Sequence, residues 1–164
     1  MEINNNHIRK YPIGIQSFEN LRREGYLYVD KTALIYRLIT TGKPYFLSRP
    51  RRFGKSLLLS TLKAYFEGKK ELFEGLAIEK LEKQWAVHPV LHLDLNAEKY
   101  DSVERLEMQM NSQLLNWESQ YGCDAKDWTY SIRFMNVIKA AYEQTGQQVV
   151  VLIDEYDKPM LESF

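Results

Sequence analysis

Five apolar residues in a row, Val149-Val150-Val151-Leu152-Ile153, run straight into Asp154-Glu155. A β-branched run of this length suits a strand buried on both faces of a parallel sheet. Parallel neighbours cannot be joined by a hairpin, so each needs a crossover, usually a helix. The rest of the chain supplies that alternation. Val90-Leu91-His92-Leu93-Asp94-Leu95 follows Pro89 as a second strand, with Asp94 near its end. Tyr26–Val29 and Tyr45-Phe46-Leu47 are short apolar runs of the same type.

Between these strands lie helical patterns. Ser17–Arg23 forms a short helix. Ala33–Ile39 forms another, with Asp30 placed to accept from its first free backbone N–H groups, and Gly42 and Pro44 ending it. From Lys55, the residues Leu57, Leu58, Leu59, Leu62, Tyr65 and Phe66 fall on one broad face up to Gly68. Residues 69–83 read as irregular with helical turns. A helix runs from the Ser102 cap to about Ser119, and another from Ser131 to Glu143, ended by Gly146. The fold class is therefore α/β, a parallel sheet with helices on both faces.

The chemistry concentrates where Tyr45–Leu47 passes through a basic loop into Gly54-Lys55-Ser56 and then a helix. A polyphosphate is held most simply by the free N–H groups of a helix start, aided by the helix dipole. Glycine lets the backbone come close, a lysine reaches the β- and γ-phosphates, and a serine hydroxyl coordinates Mg²⁺. Arg51, Arg52, Phe53, Gly54, Lys55, Ser56 and Leu57 are thus the expected nucleotide-binding residues. Gly-Lys-[Ser/Thr] alone arises by chance in roughly one chain in ten of this length. The strand–loop–helix context and a second motif sharpen it. In that second motif Asp154 is placed to hold Mg²⁺, with Ser56, and Glu155 to orient and deprotonate the attacking water. Lys55 and Glu155 are the catalytic candidates. The position of the first glycine in G-x-x-x-x-G-K-[ST] is held by Arg49. Arg49, Arg51 and Arg52 read either as charge neutralisation around a triphosphate or as a solvated loop. Asp94 reads either as a contributor to the Mg²⁺ shell or as a strand-end contact, and His88 and His92 as structural.

Composition closes off other classes. Lys plus Arg and Asp plus Glu both number 22, so the formal net charge is zero. Bulk charge gives no support to a nucleic-acid partner. One cysteine, Cys123, excludes an internal disulfide and a cysteine zinc site. Met1–Lys10 has no apolar signal segment, and no run nears the roughly 18 apolar residues of a membrane span. The cytoplasm is the expected location.

Three motifs together resemble the bacterial AAA-ATPase-like family: Tyr28-Val29-Asp30-Lys31-Thr32, Leu47-Ser48-Arg49-Pro50-Arg51-Arg52-Phe53-Gly54-Lys55-Ser56, and Ile153-Asp154-Glu155-Tyr156-Asp157-Lys158-Pro159. Arg49 fits that family's own Arg-Pro-Arg-Arg-Phe form. The resemblance implies a P-loop fold of the ASCE type, three-layered, with Lys55 and Ser56 as Walker A and Asp154 and Glu155 as Walker B. It implies ATP and Mg²⁺ as ligands, and a C-terminal PD-(D/E)XK nuclease-like domain or a protein partner. On this reading residues 1–43 are a lead-in packing on an ATPase core at 44–164. That core stops before the strand expected between the two Walker strands, so the fragment is expected to bind ATP weakly. The function expected is ATP hydrolysis that drives or gates an attached module. A non-catalytic nucleotide-binding scaffold and the ATPase part of a nucleic-acid-processing nuclease are the alternatives.

Overall fold

The computed structural model describes residues 10–42, 44–47, 54–95, 103–124 and 128–154. The chain divides into two compact units, residues 1–85 and 86–164.

The first unit is helical. Helix α1 (Phe18–Arg23) starts at Ser17, whose hydroxyl accepts from the Asn20 N–H at 3.3 Å. Helix α2 covers Thr32–Thr40, α3 Lys55–Phe66 and α4 Ala77–Leu81, with a 3-10 turn at Lys70–Phe73 before α4. Gly68 adopts φ +70° just past α3, a left-handed turn that stops a helix and that glycine takes at little cost. The core gathers Phe18, Ala64, Leu72, Phe73, Leu76 and Ile78, with Tyr28, Leu57, Tyr65 and Trp85 packed around it. Its rings meet at an angle: Phe18 lies 4.9 Å from Phe73 and 5.2 Å from Tyr28, centroid to centroid. These are spacings at which the ring quadrupoles attract.

The second unit holds the sheet. Strands β1 (Val90–Asp94) and β2 (Val150–Asp154) pair in parallel, Leu91 opposite Val151 and Asp94 opposite Asp154. The crossover consists of α5 (Val103–Tyr121) and α6 (Tyr130–Thr145). Leu91 and Leu93 pack with Leu114, Trp117, Val137 and Ala141 from those helices. Gly146 ends α6 with φ +66°. A buried ion pair crosses between the helices: Arg133 binds both oxygens of Glu118 at 2.7 Å and donates to Asn111 Oδ1 at 2.6 Å.

The architecture is thus a mixed α/β chain with a small parallel sheet. Two expectations are corrected. Tyr26–Val29 and Tyr45–Leu47 form no strand, and among the described residues only β1 and β2 do. Tyr45, Phe46 and Leu47 instead stand 52%, 73% and 40% exposed. The run before Asp154 is also not buried on both faces. Leu152 and Asp154 are buried on one side, whereas Val151 and Ile153 on the other are 38% and 45% exposed. The helical core is centred on the leucines of β1.

Candidate functional site

Gly54 is the residue before α3, with φ +76° and ψ +24°. A side chain there would touch nothing within 4 Å. The glycine is therefore required by its left-handed backbone, not by space. Lys55, Ser56 and Leu57 form the first turn of α3, and the first intrahelical bond runs from Leu58 N–H to Gly54 C=O at 3.0 Å. An α-helix leaves the N–H groups of such a turn without an intrahelical acceptor. They point out along the axis with the positive end of the dipole, an arrangement suited to an anion. Leu57 differs from its neighbours because its side chain packs against the first unit's core. Its contribution to a ligand is confined to the backbone. Arg49, Arg51, Arg52 and Phe53 lie outside the described residues.

In the second unit, Asp154 closes β2 at the carboxyl edge of the sheet and is only 6% exposed. Its register partner is Asp94, which closes β1 and is exposed. Paired residues on adjacent strands share a face and stand about 4.8 Å apart. The sheet therefore ends in two neighbouring aspartates. The backbone around them is tied: Leu95 N–H donates to Asp154 C=O at 3.1 Å, and Gln109 Nε2 to Asp94 C=O at 2.8 Å. Glu155 lies outside the described residues.

The profile of the predicted AAA-ATPase family matches residues 12–164, which takes in both of these features. The chain belongs to that family. A relative from Azotobacter chroococcum mcd 1, described as an uncharacterized protein in the vnfD 5'region, is 41% identical over 156 residues. The match covers 94% of this chain and 30% of the relative, so the chain spans about a third of that protein's length. No solved structure matches it.

In this chain the motif Tyr28–Thr32 turns out to be a clamp. The Asp30 carboxylate, one residue before the N-cap Lys31, accepts from Thr32 N–H at 2.8 Å and Thr32 Oγ1 at 2.7 Å at the start of α2. It also accepts from Ala77 N–H at 2.7 Å, and Thr32 Oγ1 accepts from Ile78 N–H at 3.0 Å. Two helix starts, α2 and α4, are thus satisfied by one short motif. Burial pushes the Asp30 carboxyl up, but the hydrogen bonds from Thr32 and Ala77 outweigh it and hold it below the usual aspartate range. The local capping signal at Asp30 is visible in the sequence. Its second client, 47 residues away, carries no local signal, and neither does Ser60 of α3. That hydroxyl accepts from Phe18 N–H at 3.0 Å, and its one proton has two acceptors at 2.9 Å, Gln16 C=O and the Leu57 C=O of its own helix.

His88 Nδ1 meets Gln148 C=O at 2.9 Å where the two strands begin. Among the described residues no group of three or more His, Cys, Asp or Glu side chains gathers as a metal cage, and no helix is long and apolar enough to cross a membrane.

Proposed function

We propose that this chain is the nucleotide-binding part of a longer protein that binds a magnesium nucleoside triphosphate, ATP by the family's name, and hydrolyses it. The observation that carries the reading is the start of α3. A left-handed glycine opens the helix directly before Lys55 and Ser56, in a chain of the predicted AAA-ATPase family. The backbone N–H groups of the first turn and the Lys55 ammonium would take the phosphates. The Ser56 hydroxyl and the Asp154 carboxylate are the Mg²⁺ candidates. Taken singly, each donor suits the ion by its chemistry, because Mg²⁺ keeps several waters and is usually held by one or two protein groups plus the substrate's phosphates. A dedicated protein cage is not needed. Bound there, Mg²⁺ would neutralise charge on the phosphate oxygens.

Catalysis on this reading is mostly positioning and charge stabilisation. Glu155 would accept the proton of the attacking water, and Lys55 would stabilise charge on the transferred phosphoryl group. Asp94, beside Asp154 in register, would hold a water of the metal's shell. The fold that goes with these roles is a P-loop core of the ASCE type, and the work done with ATP is to drive or gate an attached module.

Calorimetry and phosphate release test the reading. Lys55→Ala is expected to abolish ATP binding. Glu155→Gln is expected to keep binding within a few-fold while turnover falls about a hundredfold or more. Unchanged ATP affinity in Lys55→Ala would remove the basis of the assignment.

A further inference from the structure

We propose that Tyr65 and Glu82 are positioning residues for the hydrolysis: together they fix how the chain leaves the first unit on its way to the strands that end in Asp94 and Asp154. The inference rests on the phosphate-binding role of α3 and on the acids proposed to act with it.

The observations meet at Trp85, the last residue of the first unit. Among the described residues it is the only non-glycine with a positive φ, +47°. A bulky residue in that region is an outlier, and such a backbone persists only where its surroundings over-determine it. Those surroundings can be named. The indole ring lies 5.7 Å from the Tyr65 ring and 5.2 Å from that of Phe73, centroid to centroid. Its N–H is buried and has no acceptor among the described residues, so packing and the backbone turn hold the ring, not its own polar group. Glu82 ends α4, its N–H bonded to Ile78 C=O at 2.8 Å. Its side chain then folds back over the turn. Oε1 accepts from Lys83 N–H at 2.7 Å and from Gln84 N–H at 2.8 Å, and Oε2 accepts from the Tyr65 hydroxyl. Burial pushes the Glu82 carboxyl up, but the bonds from Tyr65, Gln84 and Lys83 outweigh it and hold it below the usual glutamate range. Burial and that carboxylate together push the Tyr65 hydroxyl up, which keeps it a donor.

Tyr65 belongs to α3. It lies ten residues beyond Lys55, about 15 Å along the helix axis. The helix that starts with the phosphate residues therefore ends by holding the carboxylate that shapes the connector. Past Trp85 the chain runs through Pro89 into β1, so the covalent path from Lys55 to Asp94 and Asp154 passes through this turn. On the proposed reading, holding the phosphates needs α3, whereas hydrolysis also needs the acids that close β1 and follow β2. A pair that directs the connector acts on the second requirement and not on the first. Its signature is a loss in kcat without a matching loss in ATP affinity.

Turnover and calorimetry on the full-length protein read that split. Tyr65→Phe keeps the ring and removes only the hydroxyl. Tyr65→Phe and Glu82→Ala are each expected to lower kcat about tenfold or more and to leave ATP affinity within about threefold. Glu82→Gln, which retains an acceptor oxygen, should recover most of the kcat that Glu82→Ala loses. Trypsin reports the turn itself, because Lys83 is exposed within it: cleavage after Lys83 should speed up in Tyr65→Phe and Glu82→Ala. Unchanged kcat in both variants, an equal loss of kcat and affinity, or unaltered cleavage would overturn the positioning role while leaving the phosphate site standing. If Lys55→Ala binds ATP as the unaltered protein does, or the unaltered full-length protein shows no turnover, the underlying reading fails and this inference fails with it.

Discussion

Gly54 shows how much can depend on one backbone angle. At φ +76° any L side chain is strained, although there is empty space for its Cβ. Gly54→Ala is therefore expected to cost about 1–2 kcal/mol from backbone conformation alone. If the substituted residue relaxes to a right-handed angle, the N–H groups of the first turn swing off the ligand. Weaker ATP binding with little change in the circular dichroism spectrum is the expected result. Asp30 is a second such residue, and its effect depends on pH. Its folded-state pKa is lowered, so the stability it supplies is complete above the ordinary aspartate value of 3.8 and is lost as pH falls through the lowered folded value. Asp30→Ala removes a cap acceptor and should cost about 1–2 kcal/mol at neutral pH. Urea unfolding at a series of pH values should show the two proteins converging below the aspartate range. A gap independent of pH would mean that the carboxylate's charge plays no part in the clamp.

Between α5 and α6 the largest buried polar feature is the Arg133–Glu118 pair. Both groups are nearly withdrawn from water, at 7% and 3% exposure, and every guanidinium bond is directed at a named acceptor. The Glu118 partner is the main cause that raises the Arg133 pKa, so the guanidinium keeps its charge. A buried pair contributes little net stability against a well-packed apolar substitute, yet removing one member strands the other. Glu118→Gln is expected to cost about 3–5 kcal/mol, and Glu118→Leu with Arg133→Met to recover most of that loss. Denaturant midpoints of the three proteins check the ordering. Helix ends elsewhere were legible without any structure. Gly68 stops the chain after α3, and Gly146 stops α6. Each signal acts within about four residues of its cause. The strand reading at Tyr45–Leu47 failed because an apolar run of three residues carries too little periodicity to tell a strand from an exposed connection.

For the molecule as a whole, a ligand that binds only the folded state stabilises it by mass action. Mg-ATP at a hundred times its dissociation constant should add about 2.7 kcal/mol. For a chain of this size that corresponds to a rise in melting temperature of roughly 5–11 °C. The shift should vanish in Lys55→Ala and persist in Glu155→Gln. A rise that survives Lys55→Ala would place the ligand away from α3.

Sequence alone was enough to identify an α/β chain, most of its helices, the two strands that end in Asp94 and Asp154, and the glycine-led helix start at Lys55. These are properties of residues close together in the chain, where periodicity, capping and permitted backbone angles act. Only the tertiary structure put Asp94 beside Asp154, gave Asp30 a second helix to hold, set Ser60 under the lead-in, and left Val151 and Ile153 half uncovered. Those outcomes depend on which distant segments come together. Such contacts are selected by packing and hydrogen-bond satisfaction over the folded chain, and no window of neighbouring residues contains them.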